Sequence, residues 1–320
     1  MLKAQLEYVI ITMNFTDTKL KGEIKMLVKK IDIHVHSSLE EDMPRFDGSN
    51  YATPEELREM YDRMGIEFGV LLPSSNPEGT FHFNTNGDCR RVANKYPETF
   101  VWFCNIDPRM GDNSPDTDFT PFLEYYKSQG AKGVGEICAN MYFDDPMVEN
   151  LFHHVEKAGL PLTFHIGNMG GDYGLVDEPG LPRLERALQK FPRLIFLGHS
   201  QKFWAEISGD VGDRAGYPKG KVAPGGRVVE LMRKYPNLHG DISAGSGQNA
   251  IMRDPEFGYN FLEEFKERLY FGTDICVPNQ DTKLILTHFL DEAVEGGHIS
   301  QDCYNKVCRE NALRLLKMDK

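Results

Sequence analysis

Hydrophobic residues along this chain gather into eight short runs, each followed by a polar turn and then an amphipathic stretch. The runs are Ile31–His36, Phe68–Leu72, Phe100–Ile106, Ala131–Ile137, Leu162–Ile166, Leu194–His199, Leu238–Ser243 and Leu269–Ile275. Each is near the usual strand length of about five to six residues. The stretches between them carry helix signals. Thr53-Pro54-Glu55-Glu56 offers an N-cap, a proline for the first turn and a capping-box glutamate, and Gly65 supplies the stop. After Asp145-Pro146, the residues Val148, Leu151, Phe152, Val155 and Ala158 recur at helical spacing until Gly159. Asp254-Pro255 opens another helix that runs toward Arg268, and Ser300–Leu316 predicts a last one beyond the eighth strand. Strands that alternate with helices predict parallel βαβ units. The fold expected is α/β: a (β/α)8 TIM barrel with long βα loops and an extra C-terminal helix. A doubly wound open sheet would want a glycine-rich phosphate turn after the first strand, and here that strand ends in histidines.

No low-complexity segment or charged linker interrupts the series, so residues 27–320 read as one barrel domain behind an N-terminal extension, residues 1–26. The longest irregular stretches are Ser37–Ala52, Gly167–Leu181, Gln201–Pro224 and Ala244–Arg253. All four are read as βα loops, which in a barrel surround the active-site end.

Composition narrows the function classes. The 320 residues carry 36 Lys and Arg against 48 Asp and Glu, a formal charge of −12. Such a surface repels nucleic acid and anionic membranes, so a small-molecule substrate is the expected partner. No apolar run approaches the roughly 20 residues of a membrane span. The six cysteines form no CxxC pair, and no secretory signal is legible, so reduced thiols in the cytoplasm are expected.

The candidate chemistry sits at strand ends. In Ile31-Asp32-Ile33-His34-Val35-His36 the alternation of a strand puts His34 and His36 on one face, with Ile33 and Val35 turned toward the helices. Two imidazoles in a barrel mouth are poor core and good ligands for a divalent metal. His165, His199, Asp274 and Glu136 end the fifth, sixth, eighth and fourth runs. A ring of imidazoles and carboxylates at one level would leave costly buried charges unpaired, and a metal ion removes that cost. Glu136 has two readings, a ligand or a carboxylate that hydrogen-bonds a ligand histidine. The other histidines serve as controls. His153, His154 and His288 fall on helices, His239 begins a strand at the opposite face, and His82 and His298 lie in loops, with His82 placed to border the site.

At these residues the chain resembles the amidohydrolase superfamily, in the branch called amidohydrolase family 2, which includes aminocarboxymuconate-semialdehyde decarboxylase. The matching motifs are Ile-Asp-Ile-His34-Val-His36, Phe-His165-Ile-Gly, Gly-His199-Ser and Gly-Thr-Asp274, and the resemblance runs from about residue 30 to the end. It implies one divalent ion held by His34, His36, His165 and Asp274, with His199 beside it to hold or shuttle a proton. Zinc is the commonest metal in such sites, with manganese an alternative. Glu136 departs from the pattern. It resembles the Gly-Glu-Ile motif of TatD-type nucleases, which implies a second ion held with His165 and His199. Barrels of this type often form homodimers.

The parts serve a metal-activated water. Asp274 is placed to accept its proton and His199 to protonate a leaving group. The reading adopted is a hydrolase of a small amide, ester or lactone. The alternative is a nonoxidative decarboxylase of an unsaturated or aromatic acid, and the strand-end residues alone do not separate the two. Trp204 is expected to wall the pocket or to pack on the barrel rim, and Arg253 to clamp a substrate carboxylate unless it pairs with Asp254 or Glu256.

Overall fold

The computed structural model describes residues 26–78, 81–212, 214 and 216–319. Nine strands occur among them: β1 (Lys30–Val35), β2 (Ile66–Leu71), β3 (Phe100–Trp102), β4 (Val134–Ile137), β5 (Leu162–Gly167), β6 (Leu175–Val176), β7 (Phe196–His199), β8 (Leu238–Asp241) and β9 (Leu269–Tyr270). All pair in parallel, in the orders β1-β2-β3 and β4-β5-β7-β8-β9, with the short β6 beside β5. Parallel bridges Cys104–Val134 and Val35–Ile275 join the two sheets. His36 N donates to Ile275 O (2.9 Å) and Asp274 N to His34 O (2.8 Å), so the last strand closes on the first. The result is the expected eight-stranded barrel, with β6 an addition inside the loop after β5.

The helix signals act as their chemistry requires. The Thr53 hydroxyl accepts from Glu56 N while the Glu56 carboxylate accepts from Thr53 N, and helix Pro54–Met64 ends at Gly65 with φ 67°. Asp145 caps helix Pro146–Ala158, and helix Pro255–Phe265 stops three residues before Arg268. The C-terminal stretch is helical from Gln301 to Leu315, with one π-helical turn at Lys306–Glu310. There Val307 O accepts from Phe271 N (2.9 Å), so the terminal helix is stitched to the strand that carries the site. Of the N-terminal extension, residues 1–25 lie outside the described residues, and Met26 exchanges two hydrogen bonds with Gln301. Among the described residues no helix is long and apolar enough to cross a membrane.

Two expectations are corrected here. Ala244–Met252 is a helix, not an irregular loop. Its glycines mark close packing, since a Cβ on Gly247 would stand 2.3 Å from the Ile242 carbonyl. Second, Ile33 does not face the helices. The β1–β2 register shifts between Asp32 and Val35. Val35 packs with Leu57, Met60 and Tyr61, whereas Ile33 joins Ile31, Phe68, Val70, Phe103 and Leu197 inside the barrel, beneath the site. The terminal helix closes that inner cluster with Ala312, Leu315 and Leu316.

Candidate metal centre

The centre is built from β1 upward. Asp32 is fully buried and accepts from His34 N (3.1 Å), Thr273 N (2.8 Å), Thr273 Oγ1 (2.5 Å) and Tyr61 Oη (2.8 Å). These bonds pin the His34 strand end to the Asp274 strand end and to helix Pro54–Met64. Burial pushes the Asp32 carboxyl up to about 6 despite the four donors.

Each imidazole is oriented through its second nitrogen. His36 Nδ1 lies 2.8 Å from Leu72 O, and a carbonyl only accepts, so Nδ1 carries the proton and Nε2 the lone pair. His34 Nδ1 lies 2.7 Å from Asp241 Oδ2, which selects the same tautomer. His199 Nδ1 faces Asp241 Oδ2 (3.3 Å) and Ser243 Oγ (3.1 Å). Three Nε2 lone pairs therefore point at one region. His34 Nε2 and His36 Nε2 are 3.1 Å apart. Glu136 Oε2 lies 3.6 and 3.9 Å from them, and Asp274 Oδ1 3.6 and 3.4 Å. Ligand atoms bonded at about 2.0–2.2 Å to a tetrahedral ion stand about 3.3–3.6 Å apart, so His34 and His36 with either carboxylate are spaced much as a divalent cation requires.

His165 stands on the far side of Glu136. Its Nδ1 is 2.7 Å from Glu136 Oε1, which is also 3.6 Å from His199 Nε2. Glu136, His165 and His199 thus form a donor group distinct from that of His34 and His36, with one carboxylate oxygen toward each. Gly174, at φ 104°, leaves the space into which His165 turns, since a Cβ there would lie 2.8 Å from its ring.

The electrostatics suit a cation. Burial lowers the proton affinity of His34, but Asp241, Asp274 and Glu136 outweigh it and raise the imidazole well above its ordinary value. His199 is raised by the same balance, with burial and His34 opposed by Asp241 and Glu136. Burial pushes Glu136 and Asp274 up, yet the surrounding imidazoles hold both below the ordinary carboxylate range. A site that draws protons onto its histidines has the potential that a divalent ion would satisfy in their place.

His36, Glu136, His165, His199 and Asp274 open onto a cleft of about 180 Å³, lined also by Arg45, Tyr51, Ser74, Asn76, Glu78, Cys138, Tyr173 and Cys276, with His34 buried behind it. Among the described lining residues Arg45 is the lone Lys or Arg. It rests over the Tyr51 ring at 4.6 Å, with no carboxylate of the described residues at ion-pair distance. Sequence reasoning missed Asp241 and Arg45. Asp241 ends β8 as His199 ends β7, and the same strand-end rule finds it. Arg45 had no signal, because it stands in an irregular loop. The loop after β2, from which Ser74, Asn76 and Glu78 come, was passed over too, while no described residue of 201–224 or 244–253 lines the cleft. Tyr51 separates His36 from His82, so His82 stands one ring behind the site.

Two substrate-binding expectations are corrected. Trp204 lies outside the barrel wall, where its Nε1 donates to Asp241 O (2.9 Å) and its ring covers Gly240. It props the strand that carries Asp241 instead of walling the cleft. Arg253 is half-buried behind the helix Ala244–Met252, beside Asp210 and Asp254, and does not reach the cleft. Its Nε and Nη2 have no hydrogen-bond partner among the described residues.

No match to a curated protein was found. Among solved structures, 2,6-dihydroxybenzoate decarboxylase from Rhizobium is 17% identical, covering 92% of this chain and 100% of that one, with TM-score 0.59. A dihydroxybenzoic acid decarboxylase from Polaromonas, with bound manganese, is 16% identical over 92% and 98%, TM-score 0.56. A probable 2-pyrone-4,6-dicarboxylic acid hydrolase from Acinetobacter baumannii is 16% identical over 91% and 100%, TM-score 0.52. These likenesses establish the fold. The amidohydrolase family model matches residues 31–318, nearly the whole chain, and by that match the protein belongs to the amidohydrolase family.

Proposed function

We propose that the protein is a metal-dependent hydrolase of a small anionic molecule, an amide, ester or lactone that carries a carboxylate. The observation that carries this reading is the gathering of His34, His36, Glu136 and Asp274 beside a cleft lined by Arg45, which has no carboxylate of the described residues at ion-pair distance. Two imidazoles and two carboxylates suit zinc, and the oxygen share also admits manganese. The group Glu136, His165 and His199 offers room for a second ion. When bound, a divalent cation here supplies Lewis acidity, polarising a carbonyl and acidifying water.

The chain's own residues do the rest. Arg45 holds the substrate carboxylate through its fork of donors, and Tyr51 braces the guanidinium. Asp274 accepts the proton of the attacking water. Its Oδ2 lies 3.8 Å from His199 Nε2, which passes that proton to the leaving group. Asp241 and Ser243 hold His199 at Nδ1 so that Nε2 faces the reaction.

A second reading is nonoxidative decarboxylation. It is favoured by the decarboxylase names of similar structures and by the same Arg45. There the carboxylate would leave as CO2 and the carbon would take a proton relayed by His199. Incubation of metal-loaded protein with lactones and esters of dicarboxylic acids, and with dihydroxybenzoates, in ¹⁸O-water separates the two. Hydrolysis releases one acid group per bond and carries ¹⁸O into it. Release of CO2 without ¹⁸O in the product would replace hydrolysis by the second reading, and neither outcome with any loaded metal would remove both.

A further inference from the structure

The ends of β4 and of the segment after β9 share a pattern that the mechanism does not use. Glu136-Ile137-Cys138 and Asp274-Ile275-Cys276 both read acid, isoleucine, cysteine. In each, the isoleucine is fully buried in the layer under the helices, and the acid and the cysteine both line the cleft. Each carboxylate of the centre is therefore followed two residues on by a thiol over the same cavity, on different strands. Cys276 is the better placed of the two. Its Sγ lies 3.6 Å from Asp274 Oδ1, the oxygen that stands 3.4 Å from His36 Nε2. His36, Asp274 and Cys276 form a donor group with all ligand atoms within 4.8 Å of one another. Neither cysteine is in a disulfide.

We propose that Cys276 is a further metal-binding residue, which joins His36 and Asp274 to hold a thiophilic divalent cation such as zinc, cobalt or cadmium in preference to manganese. The inference rests on the metal reading above. Sulfur favours the softer ions, while a set of imidazole and carboxylate alone discriminates less between zinc and manganese. Ligation exchanges the thiol proton for the ion: Cys–SH and M²⁺ give a Cys–S–M⁺ unit and a released proton. Without an ion the thiol donates to Asp274, which keeps the sulfur turned into the donor group.

The test uses Co²⁺ on the full-length protein after metal removal by a chelator. A thiolate ligand gives a sulfur-to-cobalt charge-transfer absorption in the near ultraviolet. That absorption is expected in the native protein, lost in Cys276→Ser and kept in Cys138→Ser. In parallel, Cys276→Ser is expected to weaken zinc binding by about tenfold or more while manganese binding stays within about twofold. Cobalt bound without the absorption would overturn the proposal and leave the metal reading intact. Cobalt not bound at all would overturn both. Loss of the absorption in Cys138→Ser, or equal loss of zinc and manganese affinity in Cys276→Ser, would also overturn it.

Discussion

The two ends of the barrel each hold a sequestered imidazole, and they treat it in opposite ways. At the mouth, His34 is fully buried and its proton affinity is raised well above the ordinary value. At the other end, His239 stacks on Tyr270 beside a cavity formed with Leu160, Ile195, Arg314 and Leu315, and its pKa is pushed down to about 3. Burial acts in the same direction on both. The neighbours differ: Asp241, Asp274 and Glu136 surround His34, whereas Arg268 and Arg314 add to the burial at His239. The two environments lie two residues apart on one strand, since His239 and Asp241 are both in β8. Burial alone thus does not mark a functional histidine. The sign of the surrounding charge does, and it makes one end attract cations and the other stay neutral and structural.

The contrast can be broken most severely at the mouth. In His34→Ala/His36→Ala, elemental analysis is expected to show the ion content fall to background, and activity to drop by about 10³-fold or more. Retention of a full complement of metal would place the centre elsewhere. Next in size is Asp241→Asn, which removes the carboxylate that orients His34 and His199. Metal affinity is expected to fall by about 10–100-fold with the fold retained, as read by calorimetric titration. Arg45→Ala tests the cleft's cation. KM for an anionic substrate should rise about 10–100-fold with kcat little changed, and a neutral analogue should be indifferent to the change.

The smallest effect at neutral pH belongs to the other end. The folded pKa of His239, about 3, lies below the unfolded value near 6.5, so the folded state binds fewer protons. Its contribution to stability is whole above pH 6.5 and is lost as pH falls toward 3, at up to about 1.4 kcal/mol per pH unit. His239→Gln keeps a partner for Tyr270 and should flatten that part of the pH dependence in thermal melts, with no change at pH 7. An unchanged acid limb would mean that His239 is not the group that senses acid. His34 gives the opposite sign. In ion-free protein its raised pKa favours folding below 6.5, and that advantage is lost as pH rises through the folded value.

Much of this was legible from residue order. Each of the eight apolar runs holds a strand, often shorter than the run, and the Thr53 capping box and the Gly65 and Gly159 stops appear in the structure as read. His34, His36, Glu136, His165, His199 and Asp274 do converge. The expected grouping within the set was not what the structure shows. His165 was expected beside His34, and the structure puts Glu136 there instead. Trp204 and Arg253 were expected in the cleft because they follow strands that end at it. Both turn away: Trp204 packs on Gly240 outside the wall, and the stretch 244–252 winds into a helix that carries Arg253 behind it.

What the sequence determined by itself was the fold and the level of the site. Parallel βα units point every strand the same way, so polar residues at strand ends must gather at one end of the barrel. What only the tertiary structure decided was which atom faces which. Asp241 selects the His34 tautomer across 207 residues of sequence, and the bulge after Asp32 turns Ile33 inward while His34 still reaches the centre. Arg45 enters from a loop that no periodicity governs. These roles depend on closure of the barrel, which brings distant strands to within a hydrogen bond of one another, and no local pattern encodes a contact of that range.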